Sequence, residues 1–339
     1  MVNILRFMVL FWVLISSASA SVGFKEINLT TQTQHPLNVA VWYPAKEQKK
    51  TTTIAANKLF IGSQVSLNAE PISLGQHTHP LIVLSHGYSG SWRNLSWLAY
   101  ELSSLGYIVA APTHHDPLSS NPRNNQPAQL WLRPQELSMT IDAVLADRSF
   151  SKLIDKDKIA AIGHSLGGWT ILSLAGAKFD TRQFQQDCQT HSYLKACQLM
   201  NQLGLDQPEF IQPTRDERVK AVVTLDAGLT RGMTTESLQQ FQLPILVIGA
   251  GNVVSNREVK LESGHMQPFL PKQTSTFVFI FDATHFSFIQ TCKPLTKGLW
   301  CQNGYQRDRE EIHREVTYLI LGFLTKLWSN NPVQPQDKF

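Results

Sequence analysis

Short hydrophobic runs alternate with longer amphipathic segments through most of the chain. The runs predicted to form strands cover residues 37–45, 80–87, 107–116, 158–163, 219–226, 244–250 and 276–282. Segments with helical periodicity lie between or after them, at residues 91–106, 128–148, 167–179 and 309–328. Apolar runs without alternation are typical of strands buried on both faces, and a helix between two such strands indicates a parallel crossover. The pattern therefore predicts one doubly wound α/β domain with a mostly parallel sheet.

Two regions interrupt this rhythm. Residues 46–79 are polar and weakly patterned, and we expect loops and short turns there. Residues 180–217 are polar and rich in glutamine, and we interpret them as an insertion on the same domain rather than as a second core. The tail after Trp328 has a composition typical of disorder.

The first twenty residues have the layout of a secretory signal peptide. Arg6 precedes an apolar stretch over residues 7–15, and small residues follow up to Ala20. A membrane anchor is the alternative, but this stretch is too short to span a hydrocarbon core of about 30 Å. We therefore expect cleavage after Ala20, a catalytic domain over residues 21–339, and a secreted or periplasmic protein.

Composition narrows the classes of partner. The 339 residues include 42% hydrophobic and 17% charged residues, which suits a large buried core. The formal net charge is +4, and no long basic run is present. These features argue against a nucleic acid as the main partner.

The four cysteines fall into two neighbouring pairs. Each pair lies in polar sequence, and neither has the C-x-x-C spacing typical of zinc or redox sites. In an oxidising compartment the simplest connectivity joins Cys188 to Cys197 and Cys292 to Cys301. Four free thiols are the alternative.

The segment around Ser165 matches the pattern G-x-S-x-G. Gly163, Ser165 and Gly167 follow a buried strand and open a helix, which is the setting of a nucleophile elbow. Such a turn holds the serine in a strained backbone conformation, and a neighbouring Cβ would clash with it. Gly168 extends the run of small residues. The pattern alone is weak, but its context predicts a nucleophilic serine.

The general base must take the proton of Ser165, and it should lie late in the chain after a strand. Of the eleven histidines, His285 meets this condition, just beyond the apolar run 276–282. His164 lies beside the serine, where its side chain cannot turn back onto it. An ordinary loop histidine is the alternative interpretation of His285.

The acid partner is less obvious from the pattern. The strand 244–250, after which the acid often stands, is followed by no aspartate, and Glu258 is the first acidic residue. The preceding strand ends in Asp226, at the edge where ligands collect in open α/β sheets. Asp226 is therefore the predicted acid. Asp282 is the competitor, although its position before His285 better suits the end of a strand.

An oxyanion hole needs two preorganised N–H donors. We predict the backbone N–H groups of Leu166, directly after the nucleophile, and of Tyr88, in the loop after the strand 80–87. His86, Gly87 and His164 are predicted to lie around the substrate. We expect His86 to shape the loop by hydrogen bonding rather than to act as an acid or a base.

Four motifs in order resemble one known family. They are the region 81–116, "KIAAIGHSLGG", "AVVTLDAG" and "DATHFSF". Together they resemble the α/β-hydrolases related to platelet-activating-factor acetylhydrolase and dienelactone hydrolase, over most of residues 37–290. The resemblance implies a single α/β-hydrolase domain, a triad of Ser165, Asp226 and His285, and oxyanion donors at Tyr88 and Leu166.

Two segments depart from the family pattern: the insertion 180–217 and the cysteine-bearing loop after His285. Both are expected near the edge of the active site, where they could rebuild the acyl pocket. The loop "PTHHDP" places His114, His115 and Asp116 near the site. Adjacent histidines on a loop are weak evidence for a metal, and we predict none.

The sequence therefore predicts a secreted serine esterase that needs no cofactor. Its expected partner is a small-molecule or lipid ester, and transient contact with a lipid surface stays open. A cutinase-like polyester hydrolase, and an amidase or peptidase, are the alternatives within hydrolases. A non-catalytic binding module on the same scaffold is the alternative outside them.

Overall fold

A computed structural model describes residues 21–30, 35–73, 75, 77–116, 129–252, 261–304 and 307–329. The predicted signal peptide, residues 1–20, and the tail from residue 330 onward lie outside the described residues. Both therefore stay predictions.

Ten strands within the described residues form one sheet. In chain order they are β1 (Ser21–Thr30), β2 (Pro36–Ala45), β3 (Thr52–Ile54), β4 (Ser63–Leu67), β5 (His79–Ser85), β6 (Ile108–Pro112), β7 (Ile154–His164), β8 (Val219–Leu225), β9 (Ile245–Asn252) and β10 (Ser275–Thr284). Across the sheet the order is β10-β9-β8-β7-β5-β6-β2-β1-β4-β3. Neighbouring strands from β10 to β6 are parallel, whereas β2 pairs antiparallel with both β6 and β1.

Helices cover both faces of the sheet. The α-helices are α1 (Ser96–Ser104), α2 (Arg133–Ala146), α3 (Leu166–Leu174), α4 (Thr181–Thr190), α5 (Lys195–Gln198), α6 (Thr235–Gln239) and α7 (Arg309–Trp328). Short 3₁₀ turns lie at 92–95, 130–132, 208–211, 230–232, 263–266, 285–288 and 299–301. In the described residues, no helix is both long and apolar enough to cross a bilayer.

Two hydrophobic layers hold the fold together, one on each face of the sheet. Strand β5 shows why its sequence does not alternate: Leu81 and Val83 pack into one layer, and Ile82 and Leu84 into the other. Helices α2 and α3 supply apolar side chains to the first layer, and α1 and α7 supply them to the second. Because both faces are covered, an apolar residue is favoured at every position of the central strands. The predicted mostly parallel α/β fold is confirmed.

The prediction for residues 46–79 was wrong in part. This region contains β3 and β4, which extend the sheet at its far edge. Strand β3 has three residues, and none of them is buried. Edge strands of this kind leave a weak hydrophobic pattern, so their sequences resemble loops.

The predicted disulfides are confirmed. Cys188 is bonded to Cys197, and Cys292 is bonded to Cys301. The first bridge joins α4 to α5 in the insertion 180–217, and the second closes a loop beyond β10. The first bridge thus holds two helices together, and the second closes a segment with little regular structure.

Candidate active site

The turn that carries Ser165, the predicted nucleophile, lies between β7 and α3. Ser165 has φ 56° and ψ −121°, a conformation that non-glycine residues rarely adopt. The residues two positions before and after it cannot carry side chains: a Cβ on Gly163 would lie 2.1 Å from the carbonyl oxygen of Gly167, and a Cβ on Gly167 would lie 2.0 Å from that of Ser85. The chain thus makes a sharp turn that presents Ser165 at the carboxyl edge of the sheet.

Three predicted residues meet at this edge. Ser165 follows β7, Asp226 follows β8 and His285 follows β10. The Oγ of Ser165 is 3.0 Å from Nε2 of His285, and Nδ1 of His285 is 2.5 Å from Oδ2 of Asp226. A carboxylate only accepts hydrogen bonds, so Nδ1 carries the proton and Nε2 accepts from the serine hydroxyl. This is the geometry of a hydroxyl, a base and an orienting acid.

Asp226 is held as a carboxylate. Burial by itself would raise its pKa, but the hydrogen bonds from His285 and from the backbone N–H of Ala250 outweigh burial and lower the pKa below its usual range. The Ala250 N–H donates to Oδ1 at 3.0 Å, which leaves Oδ2 for the imidazole. Asp226 itself has φ 47°, so the acid, like the serine, stands on a strained turn.

Asp282, the competing acid, is turned away from the base. Its two oxygens accept from Nε and Nη2 of Arg307 at 2.7 and 2.6 Å. The hydrogen bonds from Arg307 hold the pKa of Asp282 below its usual range. The two aspartates thus have different partners, and His285 pairs with Asp226.

The two predicted oxyanion donors belong to residues that line the same cavity as Ser165. Leu166 is the first residue of α3, where a backbone N–H has no acceptor within the helix. Tyr88 lines the same cavity as Ser165. The carbonyl of Gly87 accepts from the N–H of Gly90 at 3.1 Å. Because a trans peptide points its C=O and N–H in opposite directions, this contact turns the Tyr88 N–H away from Gly90.

A buried arginine, which the sequence analysis missed, fixes the loop that carries Tyr88. Arg133, at the start of α2, is 2% exposed and donates to the carbonyl of His86 at 3.0 Å and, more weakly, to that of Gly87 at 3.4 Å. Its Nε is 3.4 Å from Asp116, which accepts from the Ser89 N–H at 2.8 Å. The pair thus holds the peptides before and after Tyr88.

Arg133 also connects this loop to the nucleophile helix. Its Nη1 donates to Oγ1 of Thr170 at 3.2 Å, and Thr170 donates to the carbonyl of Leu166 at 3.1 Å. One side chain therefore links the segments that carry the two predicted oxyanion donors. An arginine in a helix usually indicates a solvated face, so the sequence carries no signal for this role.

His86 and His164 are not among the described residues that line the cavity. His86 accepts from the His114 N–H at 2.9 Å, and His164 donates to the carbonyl of His285 at 2.9 Å. Burial, followed by the charge of Arg133, lowers the pKa of His86 well below its usual range. Gly87 approaches the nucleophile directly, since a Cβ on it would lie 3.2 Å from that of Ser165. Contact of these residues with substrate stays a prediction.

The histidine loop is engaged with the protein. Both ring nitrogens of His114 have partners: Nε2 lies 2.9 Å from the hydroxyl of Ser85, and Nδ1 lies 2.6 Å from Glu136. The ring of His115 stacks on that of His35, with ring centres 4.2 Å apart. His114 therefore has no ring nitrogen left for a metal ion.

A cavity of about 90 Å³ opens beside the serine. Its floor is formed by Ser165, His285, Asp226 and the residues that follow Asp226. One wall comes from the insertion 180–217 and consists of Leu194, Lys195, Ala196, Leu199 and Leu203. The insertion therefore contributes to the pocket, whereas the loop closed by Cys292 and Cys301 is absent from the lining among the described residues.

Arg231 ties this wall to the body of the domain. It is 1% exposed, pairs with Asp187 of α4, and lies 3.6 Å from Glu262, which lines the cavity. Its guanidinium also lies over the ring of Phe184, 5.3 Å from the ring centre. The disulfide between Cys188 and Cys197 links α4 to α5, so the ion pair of Arg231 with α4 also restrains α5.

The fold and the arrangement of serine, histidine and aspartate define an α/β-hydrolase. The family model for platelet-activating factor acetylhydrolase, isoform II, matches residues 27–136. The cutinase est1 of Thermobifida alba is 32% identical over 260 residues, which cover 75% of this chain and 69% of the relative. The platelet-activating factor acetylhydrolase of Cavia porcellus is 29% identical over 187 residues, covering 39% of this chain and 42% of that one.

Among solved structures, a ferulic acid esterase from Streptomyces cinnamoneus superposes with a TM-score of 0.63 at 17% identity, covering 96% of this chain and 95% of that one. This likeness supports the fold. The chain belongs to the α/β-hydrolases of the platelet-activating-factor-acetylhydrolase-like family.

Proposed function

We propose that the protein is a serine hydrolase of carboxylic esters. The hydrogen-bonded series from Ser165 through His285 to Asp226, on a strained turn beside a cavity, is the observation that carries the proposal. The names of its relatives, which are cutinases and an acetylhydrolase, agree with ester hydrolysis. The chemistry needs no cofactor, because the nucleophile, base and acid are all side chains.

In the first half of the reaction, Oγ of Ser165 attacks the ester carbonyl carbon and its proton passes to Nε2 of His285. Asp226 keeps the ring oriented and stabilises the imidazolium. The carbonyl oxygen becomes an oxyanion and accepts hydrogen bonds from the N–H groups of Tyr88 and Leu166. The C–O bond to the leaving alcohol then breaks, and the imidazolium donates its proton to that oxygen.

In the second half, water replaces the alcohol. His285 takes a proton from the water, whose oxygen attacks the acyl carbon and forms a second oxyanion in the same hole. When this intermediate collapses, the bond to Ser165 breaks and the proton returns to Oγ. The products are a carboxylic acid, an alcohol and the free enzyme.

The pocket supports short to medium acyl chains. Its volume of about 90 Å³ is small, and the insertion places Leu194, Leu199 and Leu203 on one wall. Apolar walls favour an alkyl group, whereas a small volume disfavours a long one. We therefore propose a small-molecule or lipid-like ester with a short acyl group, bound by a wall that the disulfide between Cys188 and Cys197 supports.

A polyester is the second candidate, because the cutinase est1 matches most of this chain. Hydrolysis of a polyester film, compared with that of soluble esters, separates the two. An amide substrate is tested by offering the amide of the best acyl group.

We also propose that the protein is exported from the cytoplasm. Its two disulfides suit an oxidising compartment, and residues 1–20 have the pattern of a signal peptide. N-terminal sequencing of protein recovered outside the cytoplasm should begin at Ser21. An N-terminus at Met1 would contradict cleavage after Ala20.

Labelling with a fluorophosphonate tests the serine directly. The reagent should attach to Ser165, be located there by peptide mass spectrometry, and fail to label Ser165→Ala. Ser173→Ala, a buried serine on the same helix, should label like the native protein and serves as the matched control. Absence of label on the folded native protein would favour a binding module on this scaffold.

A further inference from the structure

Two surface segments outside the triad meet beside the turn that contains His285. They are residues 57–61 and 291–304, and together we call them the loop face. The Lys293 N–H donates to the carbonyl of Leu59 at 2.7 Å, and the Ile61 N–H donates to that of Thr291 at 3.1 Å. The disulfide between Cys292 and Cys301 closes the longer segment. The two segments therefore form one surface.

This surface exposes large apolar side chains. Leu295 is 98% exposed, Trp300 is 48% exposed and Ile61 is 40% exposed. Leu59 and Leu299 are exposed as well. A single exposed leucine is common on any protein, but several on two connected loops are typical of an interaction site.

The charges on the loop face are all positive. Lys58, Lys293 and Lys297 are exposed, and neither segment contains an aspartate or a glutamate. The groove that borders Ile61 carries charges of both signs, on Glu101, Glu310 and Arg314, whereas the charged side chains of the two loops are all lysines. Lysines interspersed with leucine and tryptophan suit a surface that combines hydrocarbon with negative charge.

The loop face is held in place and leads to the active site. Arg309 donates to the carbonyl of Trp300 at 2.8 Å, and the ring of Trp300 packs on that of Phe286 with centres 4.8 Å apart. Phe286 directly follows His285, and their rings contact each other. Trp300 of the loop face is therefore linked to His285 through the ring of Phe286.

We propose that the loop face docks the protein onto an anionic phospholipid surface. Leu295 and Trp300 enter the boundary between headgroups and acyl chains, where tryptophan is favoured. The lysines then lie among the anionic headgroups. This proposal goes beyond the proposed function, since docking needs no turnover and a catalytically inactive chain should dock equally well.

Vesicle sedimentation of the full chain tests the proposed docking of the loop face. The Ser165→Ala variant is used, so that no lipid is hydrolysed, with vesicles of phosphatidylcholine alone or mixed with phosphatidylglycerol. We expect binding to the mixed vesicles, weakening with added salt, and little binding to phosphatidylcholine alone. Adding Leu295→Asp or Lys297→Glu should lower the affinity about tenfold or more. Leu295 is almost fully exposed, so its replacement should leave the melting temperature unchanged.

Leu105→Asp is the matched control. Leu105 is 51% exposed and follows α1 near the start of β6, at the opposite edge of the sheet from the active site. The Leu105→Asp variant of the Ser165→Ala protein should bind vesicles as strongly as Ser165→Ala does. Equal binding to both vesicle types, or equal losses in all three variants, would overturn the proposal. A dimer that Leu295→Asp dissociates in light scattering, without vesicle binding, would instead assign the loop face to a second copy and also overturn it.

In the active protein, hydrolysis of a soluble ester should not change with Leu295→Asp, since Leu295 does not line the cavity. This assay separates failure of docking from failure of the proposed esterase activity.

Discussion

Replacing Asp226 by asparagine should abolish most of the activity through the tautomer of His285. Oδ1 of Asp226 accepts from the Ala250 N–H at 3.0 Å, and Oδ2 accepts from His285 at 2.5 Å. An asparagine has one oxygen, and the fixed Ala250 N–H will take it. The amide NH₂ then faces Nδ1 of His285, which must accept, so the ring proton moves to Nε2.

A proton on Nε2 leaves no lone pair for the hydroxyl of Ser165, and general base catalysis stops. The same exchange in a serine triad lowers kcat by about 10⁴, which corresponds to about 5.4 kcal/mol of transition-state stabilisation. Fold and substrate binding should change little, because asparagine has the same shape as aspartate. The assay is the rate of nitrophenyl acetate hydrolysis, with KM and melting temperature measured beside it.

Asp282→Asn is the matched control. Asp282 binds Arg307 and makes no contact with the base, so this variant should retain activity within about twofold. If Asp226→Asn kept full activity while Asp282→Asn lost it, the assignment of the acid would be refuted.

Three further predictions follow from buried contacts of the described residues. Arg133→Lys keeps the positive charge but loses the forked guanidinium donors that hold the loop of Tyr88, so kcat should fall about 10- to 100-fold with KM nearly unchanged. Equal changes in kcat and KM would point to a general loss of structure. Gly168→Ala would place a Cβ 2.5 Å from that of Ala227 and shift the segment after the acid, so activity and melting temperature should both fall; native values would contradict this close packing. Asp282 has a pKa lowered by Arg307, so its contribution to the free energy of unfolding is complete above a pH of about 4 and lost as the pH falls through the lowered pKa. Urea unfolding at several acidic pH values should show this loss in the native protein but not in Asp282→Asn.

The sequence predicted the residues of the candidate site that directly follow apolar strands of the parallel sheet. Ser165, Asp226 and His285 follow apolar runs whose carboxyl ends meet at one edge, so position along the chain implied proximity in space. Asp226 could be preferred as the acid partner of His285 because the strand 244–250, after which the acid often stands, is followed by no aspartate. The structure then brings it within 2.5 Å of His285, while Asp282 turns to Arg307.

Side chains that act across long sequence distances could not be predicted. Arg133 lies 32 residues before Ser165, and its role depends on carbonyls and a hydroxyl that only the folded chain brings together. The insertion 180–217 forms one wall of the pocket, yet its sequence is polar and rich in glutamine. The wall could not be predicted from this sequence, because a few leucines suffice to line a small cavity. Strands β3 and β4 were not predicted because these short strands at the end of the sheet bury few side chains: β3 buries none and β4 buries two.

The most direct test of the central claim is the hydrolysis of nitrophenyl esters from acetate to dodecanoate by the native protein and by Ser165→Ala. We predict that the native protein turns over the short esters, that its kcat/KM falls steeply as the acyl chain lengthens, and that Ser165→Ala is inactive on all of them. Turnover by Ser165→Ala equal to that of the native protein, or no turnover of any ester by the folded native protein, would contradict a serine esterase.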